Sequence, residues 1–140
     1  MTSKIRLQLS FMMFLEFFIW GAWYSAIAVY MSSHEMGDLT HWPFTVNAIA
    51  AIIAPFFVGL IADRYFATQK VLGILHIIGS ICMFLAPQFT GNSVVFILLL
   101  LIYNICYMPT LSLSNTLCFH QMNNPEKQFP SIRVFGTIGW

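Results

Sequence analysis

The chain has 140 residues, of which 59% are hydrophobic and only 8% charged, with a formal net charge of +1. Those proportions suit a multi-spanning membrane protein and exclude an ordinary soluble domain or a disordered chain. No basic patch stands out in the sequence, so nucleic acid is excluded as a partner.

A bilayer core takes about 20 apolar helical residues to cross. In chain order, spans are expected over residues 7–31, 43–62, 71–89 and 94–119, and a fifth begins at Pro130 and runs to residue 140. The first run follows Lys4 and Arg6 but is too long for the core of a cleaved signal peptide, and it carries Glu16, Trp20 and Trp23. It is therefore read as a span. Glu16 is the only acid deep within a span, where a carboxylate needs a proton, a partner or water. Trp20 and Tyr24 follow it at one and two turns. This stripe admits two readings, a carboxyl for proton coupling or substrate contact and a hydrogen bond between helices. Small residues such as Gly21, Ser25, Ala50, Ala54 and Gly79 permit close helix approach. Pro55 and Pro109 interrupt spans two and four.

On the fourth span Asn104 reads as an interhelical hydrogen-bonding group, while Asn115 is left open between that role and a cavity lining. His76 reads as a core histidine. The three cysteines, Cys82, Cys106 and Cys118, all fall in apolar spans without metal-ligand spacing and read as buried thiols. No catalytic set of nucleophile and base and no metal-binding set is evident, so an enzyme is not expected.

Every Lys and Arg lies in the amino terminus, in the connectors after spans two and four, or just inside span five. The opposite connectors hold Glu35 and Asp38. The positive-inside rule then puts the amino terminus in the cytoplasm.

The start of the fifth span carries Arg133, Thr137 and Trp140 at i, i+4 and i+7, a single helical stripe. A guanidinium facing lipid is heavily penalised, so the stripe should face protein or a watery cavity. Arg and Thr offer hydrogen bonds and Trp a stacking surface, a combination suited to a polar, flat, ring-bearing molecule.

Two sets of motifs carry a family resemblance. Gly59-Leu60-Ile61-Ala62-Asp63-Arg64-Tyr65, with Lys70 further on, resembles the loop signature between helices 2 and 3 of the major facilitator superfamily. It departs from that pattern at Phe66-Ala67-Thr68, where a basic run is usual. Trp20-Gly21-Ala22-Trp23, Tyr107-Met108-Pro109-Thr110-Leu111 with Asn115-Thr116, and the run from Phe129 to Gly139 resemble the bacterial nucleoside:proton symporters of that superfamily. Glu16 and His120 depart from the symporter pattern, which has a glutamine and a tyrosine there.

The resemblance implies an all-α membrane fold in which residues 1–140 are an incomplete amino-terminal six-helix half: helices 1–4 and the start of helix 5 of a twelve-helix transporter. It implies a protein of the bacterial inner membrane whose carboxy-terminal half is the missing partner. It also implies import of a nucleoside with a proton as coupling ion and no cofactor. Arg133, Thr137 and Trp140 then bind substrate, and Glu16 is a secondary candidate for protonation or substrate contact. Gly59, Asp63 and Arg64 form a gating loop. A sugar or nucleobase cargo on the same fold, or a small non-transporting membrane protein, is the alternative.

Overall fold

The structure is a computed structural model. It describes residues 1–62 and 67–140, and all of their side chains except those of 57–62. Asp63 and Arg64 of the expected gating loop lie outside the described residues, and Gly59 falls in the stretch whose side chains are not described.

The described residues form six α-helices and two short 3-10 turns: α1 (Ser3–Tyr24), α2 (Ile27–Ser33), α3 (Trp42–Ala62), α4 (Thr68–Leu85), α5 (Ser93–His120) and α6 (Pro125–Gly139), with turns at Gly37–Leu39 and Ala86–Phe89. Among these residues, four stretches are long and apolar enough to cross a bilayer: Ser3–Ser33, Gly37–Phe56, Thr68–Phe89 and Ser93–His120. Large side chains on them stand exposed, Phe56 at 71% and Phe84 at 74% among them. Such bulk on the outside of a helix is stable against lipid, where the backbone's hydrogen bonds are already satisfied within the helix.

Helix boundaries follow local chemistry. Thr2 caps α1, its hydroxyl accepting the N–H of Ile5 at 3.4 Å. The first apolar run, expected as one helix over 7–31, is broken after Tyr24. Ser25 Oγ donates to the Gly21 carbonyl at 2.8 Å, while the backbone bond from Ser25 to the same oxygen is stretched to 3.4 Å. A hydroxyl that competes with the backbone for an i−4 carbonyl loosens a helix at that point. After α2, Glu35 takes a positive φ of 60° and the N–H of Met36 reaches back to the Met31 carbonyl at 2.9 Å, closing the helix end.

The fifth helix starts earlier than Pro130. Asn124 accepts the N–H of Lys127 at 3.2 Å, and Pro125 takes the first helical position. Pro is tolerated there because that N–H has no intrahelical partner. Pro130 lies inside α6 instead, and Lys127 belongs to its first turn rather than to a connector.

The contacts divide the chain into two compact units, Met1–Ala26 with Leu113–Trp140, and Ile27–Ser112. The first is built on α1, the last turns of α5 and α6, around Leu9, Met13, Cys118, Met122 and Ile132, with Phe17 and Phe129 packed against them. In the second, Pro43, Val46, Ala50 and Ala54 form the buried face of α3, and Phe96, Leu100, Tyr103 and Tyr107 that of α5. A buried polar link crosses it: Asn47 donates its side-chain amide to Asn104 Oδ1 at 2.8 Å, and Asn104 donates to the Leu100 carbonyl at 2.7 Å. Asn104 is thus an interhelical group, as its position in the sequence suggests, and Asn47 is its partner. His76 meets Tyr107 edge-on, ring centroids 6.3 Å apart, and Tyr107 stacks on Tyr103. All three cysteines are buried and free.

Candidate functional site

The stripe of Arg133, Thr137 and Trp140 is positioned by how closely α6 approaches α1. Ile132, Gly136 and Gly139 are the buried residues of α6. A methyl group on Gly136 would lie 2.6 Å from Nη1 of Arg133 and 2.8 Å from the Phe17 ring, and one on Gly139 would run into the Phe14 carbonyl. On the facing helix, a methyl on Gly21 would stand 3.0 Å from the carbonyl oxygen of Trp140. Three glycines therefore bring the two backbones together, as small residues do where membrane helices associate.

That approach sets the side chains beside it. The Arg133 guanidinium carbon sits 4.1 Å from the centre of the Phe17 ring. A cation over an aromatic face at this distance is attracted by the ring quadrupole, and a guanidinium stacked this way keeps its N–H edge for hydrogen bonds. Two turns on, the Trp140 ring lies against Trp20 with centroids 4.6 Å apart and against Tyr24 at 5.8 Å. Trp20 and Tyr24 also meet edge-on at 5.7 Å. Trp140 is nonetheless 54% exposed, so its indole presents open surface. Thr137 is exposed between them in sequence.

Arg133 and Trp140 are thus both drawn against α1 and neither is splayed away from it. Glu16 differs. It is buried at 3% exposure and engaged by neighbouring groups, so it belongs to the interior of the first unit rather than to an open surface. Phe17 and Trp20, which orient the two residues, were not separable in the sequence from the many other aromatics of the spans. The signal that could have found them is their spacing, three apart on α1, opposite a cation and an indole seven apart on α6. No group of three His, Cys, Asp or Glu side chains able to hold a metal ion occurs among the described residues.

These features coincide with a family. A profile of the nucleoside H+ symporter family matches residues 3–140, and the chain belongs to that family, which is one of transporters rather than enzymes. Its fold is that of the amino-terminal helices of a major facilitator superfamily protein: it superposes on the crystal structure of nucleoside transporter NupG with a TM-score of 0.89, at 34% identity, over 96% of this chain and 34% of that one. In sequence it is 45% identical over 98% of its length to YegT of Escherichia coli (strain K12), a protein provisionally named a nucleoside transporter. It is 35% identical to nucleoside permease NupG and 34% identical to xanthosine permease of the same strain, again over 98% of this chain. The chain spans about a third of the length of these relatives: 32% of YegT and 34% of the other two. It is a multi-pass membrane protein with four candidate spans among its described residues.

Proposed function

We propose that this chain forms the amino-terminal helices of a carrier that imports nucleosides together with protons across the bacterial inner membrane by alternating access. The family supports the cargo class and the coupling ion. The observation that carries the site is the pairing of a guanidinium stacked on Phe17 with a half-open indole two turns away, both held beside α1. Arg133 donates from its free N–H edge to hydroxyl or carbonyl oxygens of the nucleoside, Thr137 adds a hydroxyl, and Trp140 stacks on the base. Glu16, closed in among its neighbours, is assigned a secondary part in protonation or substrate contact. Gly59, Asp63 and Arg64 supply the cytoplasmic gating loop. Alternating access moves one half of the carrier against the other around a site at mid-membrane depth. A carboxy-terminal half, as in the twelve-helix fold the resemblance implies, is assigned the rest of that site.

The amino terminus is assigned to the cytoplasm on the distribution of Lys and Arg along the sequence. Within the first unit, Arg6 near the start of α1 and Lys127 in the first turn of α6 line one hollow, which supports a common side for both helix starts.

The test is uptake of labelled uridine or adenosine by cells or vesicles carrying the full-length protein, with and without a protonophore. Uptake above background that the protonophore abolishes is expected. Uptake at background for both nucleosides contradicts the assignment.

A further inference from the structure

Away from the stripe, the first unit holds a second polar feature. A hollow of ≈ 320 Å³ lies where α1 and α6 begin, lined by Met1, Thr2, Ser3, Arg6, Lys127, Gln128 and Ser131. Among the described residues, no acidic side chain lines it. Two basic groups reach it from different helices, Arg6 from α1 and Lys127 from α6. The first turn of α1 adds the positive end of its dipole and backbone N–H groups that lack intrahelical acceptors. Among the described residues, Gln128 Oε1 is buried with no hydrogen-bond partner. The volume matches the lower end of cavities that hold small molecules.

What lies below the hollow narrows the choice of anion. On a helix turning ~100° per residue, Val134, Phe135 and Ile138 continue the line of Ser131 down α6. They are exposed at 49%, 39% and 64%. Arg133 and Trp140 occupy a different face of the helix. Among the described residues, a basic, hydrogen-bonding cup thus opens onto an apolar strip where α1 and α6 begin.

The geometry points to a binding site for an anionic phospholipid, its phosphate seated between Arg6 and Lys127 and an acyl chain laid along Val134 and Ile138. Basic pockets between membrane helices take lipid head groups in this way. The site does not depend on the cargo of the carrier or on which side of the membrane these helix ends face.

The experiment is thermal unfolding and native mass spectrometry of the full-length protein in detergent. Dioleoyl phosphatidylglycerol, dioleoyl phosphatidylcholine or inorganic phosphate is added in separate arms. Phosphatidylglycerol is expected to bind and to raise the unfolding temperature, with phosphatidylcholine and phosphate giving little. Each basic side chain contributes about fivefold, so Arg6→Gln with Lys127→Gln should weaken phosphatidylglycerol binding by about 25-fold. Arg6→Lys with Lys127→Arg should retain it, and Lys70→Gln, which removes a charge outside the hollow, should leave it unchanged. Equal responses to the two lipids, or an unaltered response in the Gln pair, overturns the proposal. So does a response to inorganic phosphate that phosphatidylglycerol fails to reproduce.

Discussion

The guanidinium carbon of Arg133 lies over the Phe17 ring, 4.1 Å from its centre, within the close seam between α6 and α1. In the membrane a lone guanidinium is unstable unless protein or water receives it, and Phe17 receives one face of this one. The contact both shelters the cation and fixes where its hydrogen-bonding edge points.

Replacing Phe17 by Leu removes the ring while keeping apolar bulk. A cation–π contact of ~0.5–2 kcal/mol corresponds to a loss of nucleoside affinity between about 2-fold and about 30-fold. Membrane expression should be unaffected. Equilibrium binding of labelled uridine to the full-length variant checks this, and Phe17→Tyr should bind nearly as well as the original chain.

Gly136→Ala tests the same contact from below. The added methyl would stand 2.6 Å from Nη1 of Arg133 and 2.8 Å from the Phe17 ring, so guanidinium and ring must part. Affinity is expected to fall although position 136 offers no group to a ligand. Gly139→Ala meets backbone rather than a side chain, at the Phe14 carbonyl, and should cost thermal stability as well. Unfolding temperature measured beside binding separates the two effects.

On the proposed function, the ring is the part of Trp140 that meets the base. Trp140→Phe should keep uptake within a few-fold of the original. Trp140→Ala should lower affinity by between about 5-fold and about 160-fold, in line with ~1–3 kcal/mol for stacking on a base. Initial rates over a range of nucleoside concentrations distinguish these outcomes.

The Asn47–Asn104 link makes a prediction about stability alone. Asn104→Ala leaves a buried amide on Asn47 to find another partner, whereas changing both residues to Leu removes the unmet need with the bond. A double-mutant cycle on unfolding in detergent should give a coupling of roughly 0.6 kcal/mol, with about 1.7 kcal/mol as a ceiling for such bonds in membranes. Nucleoside binding by the Leu pair should stay near that of the original chain.

Much of this architecture is written in the order of apolar and polar residues. Long hydrophobic runs mark the membrane-crossing stretches because a bilayer demands length and apolarity and little else. The i, i+4, i+7 spacing gathers Arg133, Thr137 and Trp140 on one stripe before any coordinates are known. The break after Tyr24 is not legible in that way, since the apolar run continues through it; the Ser25 hydroxyl bond to the Gly21 carbonyl accompanies it. The start of α6, expected at Pro130, falls at Pro125 instead, where Asn124 caps the helix. Phe17 and Asn47 were hidden for a different reason. Each matters through one neighbour on another helix, and a single chain does not record which phenylalanine or asparagine will find one. Glu16 had the strongest polar signal of the first span, yet its burial separates it from the exposed surface of Trp140.

The central claim is that the Arg133 side chain, held on Phe17, grips the nucleoside. Its most direct test is equilibrium binding of labelled uridine and adenosine to full-length protein and to Arg133→Ala, with folding of both checked by unfolding temperature. Loss of hydrogen bonds to a charged group, at ~1.5–3 kcal/mol, should weaken binding at least about tenfold while the unfolding temperature holds. A folded Arg133→Ala protein that binds both nucleosides as tightly as the original would contradict the account.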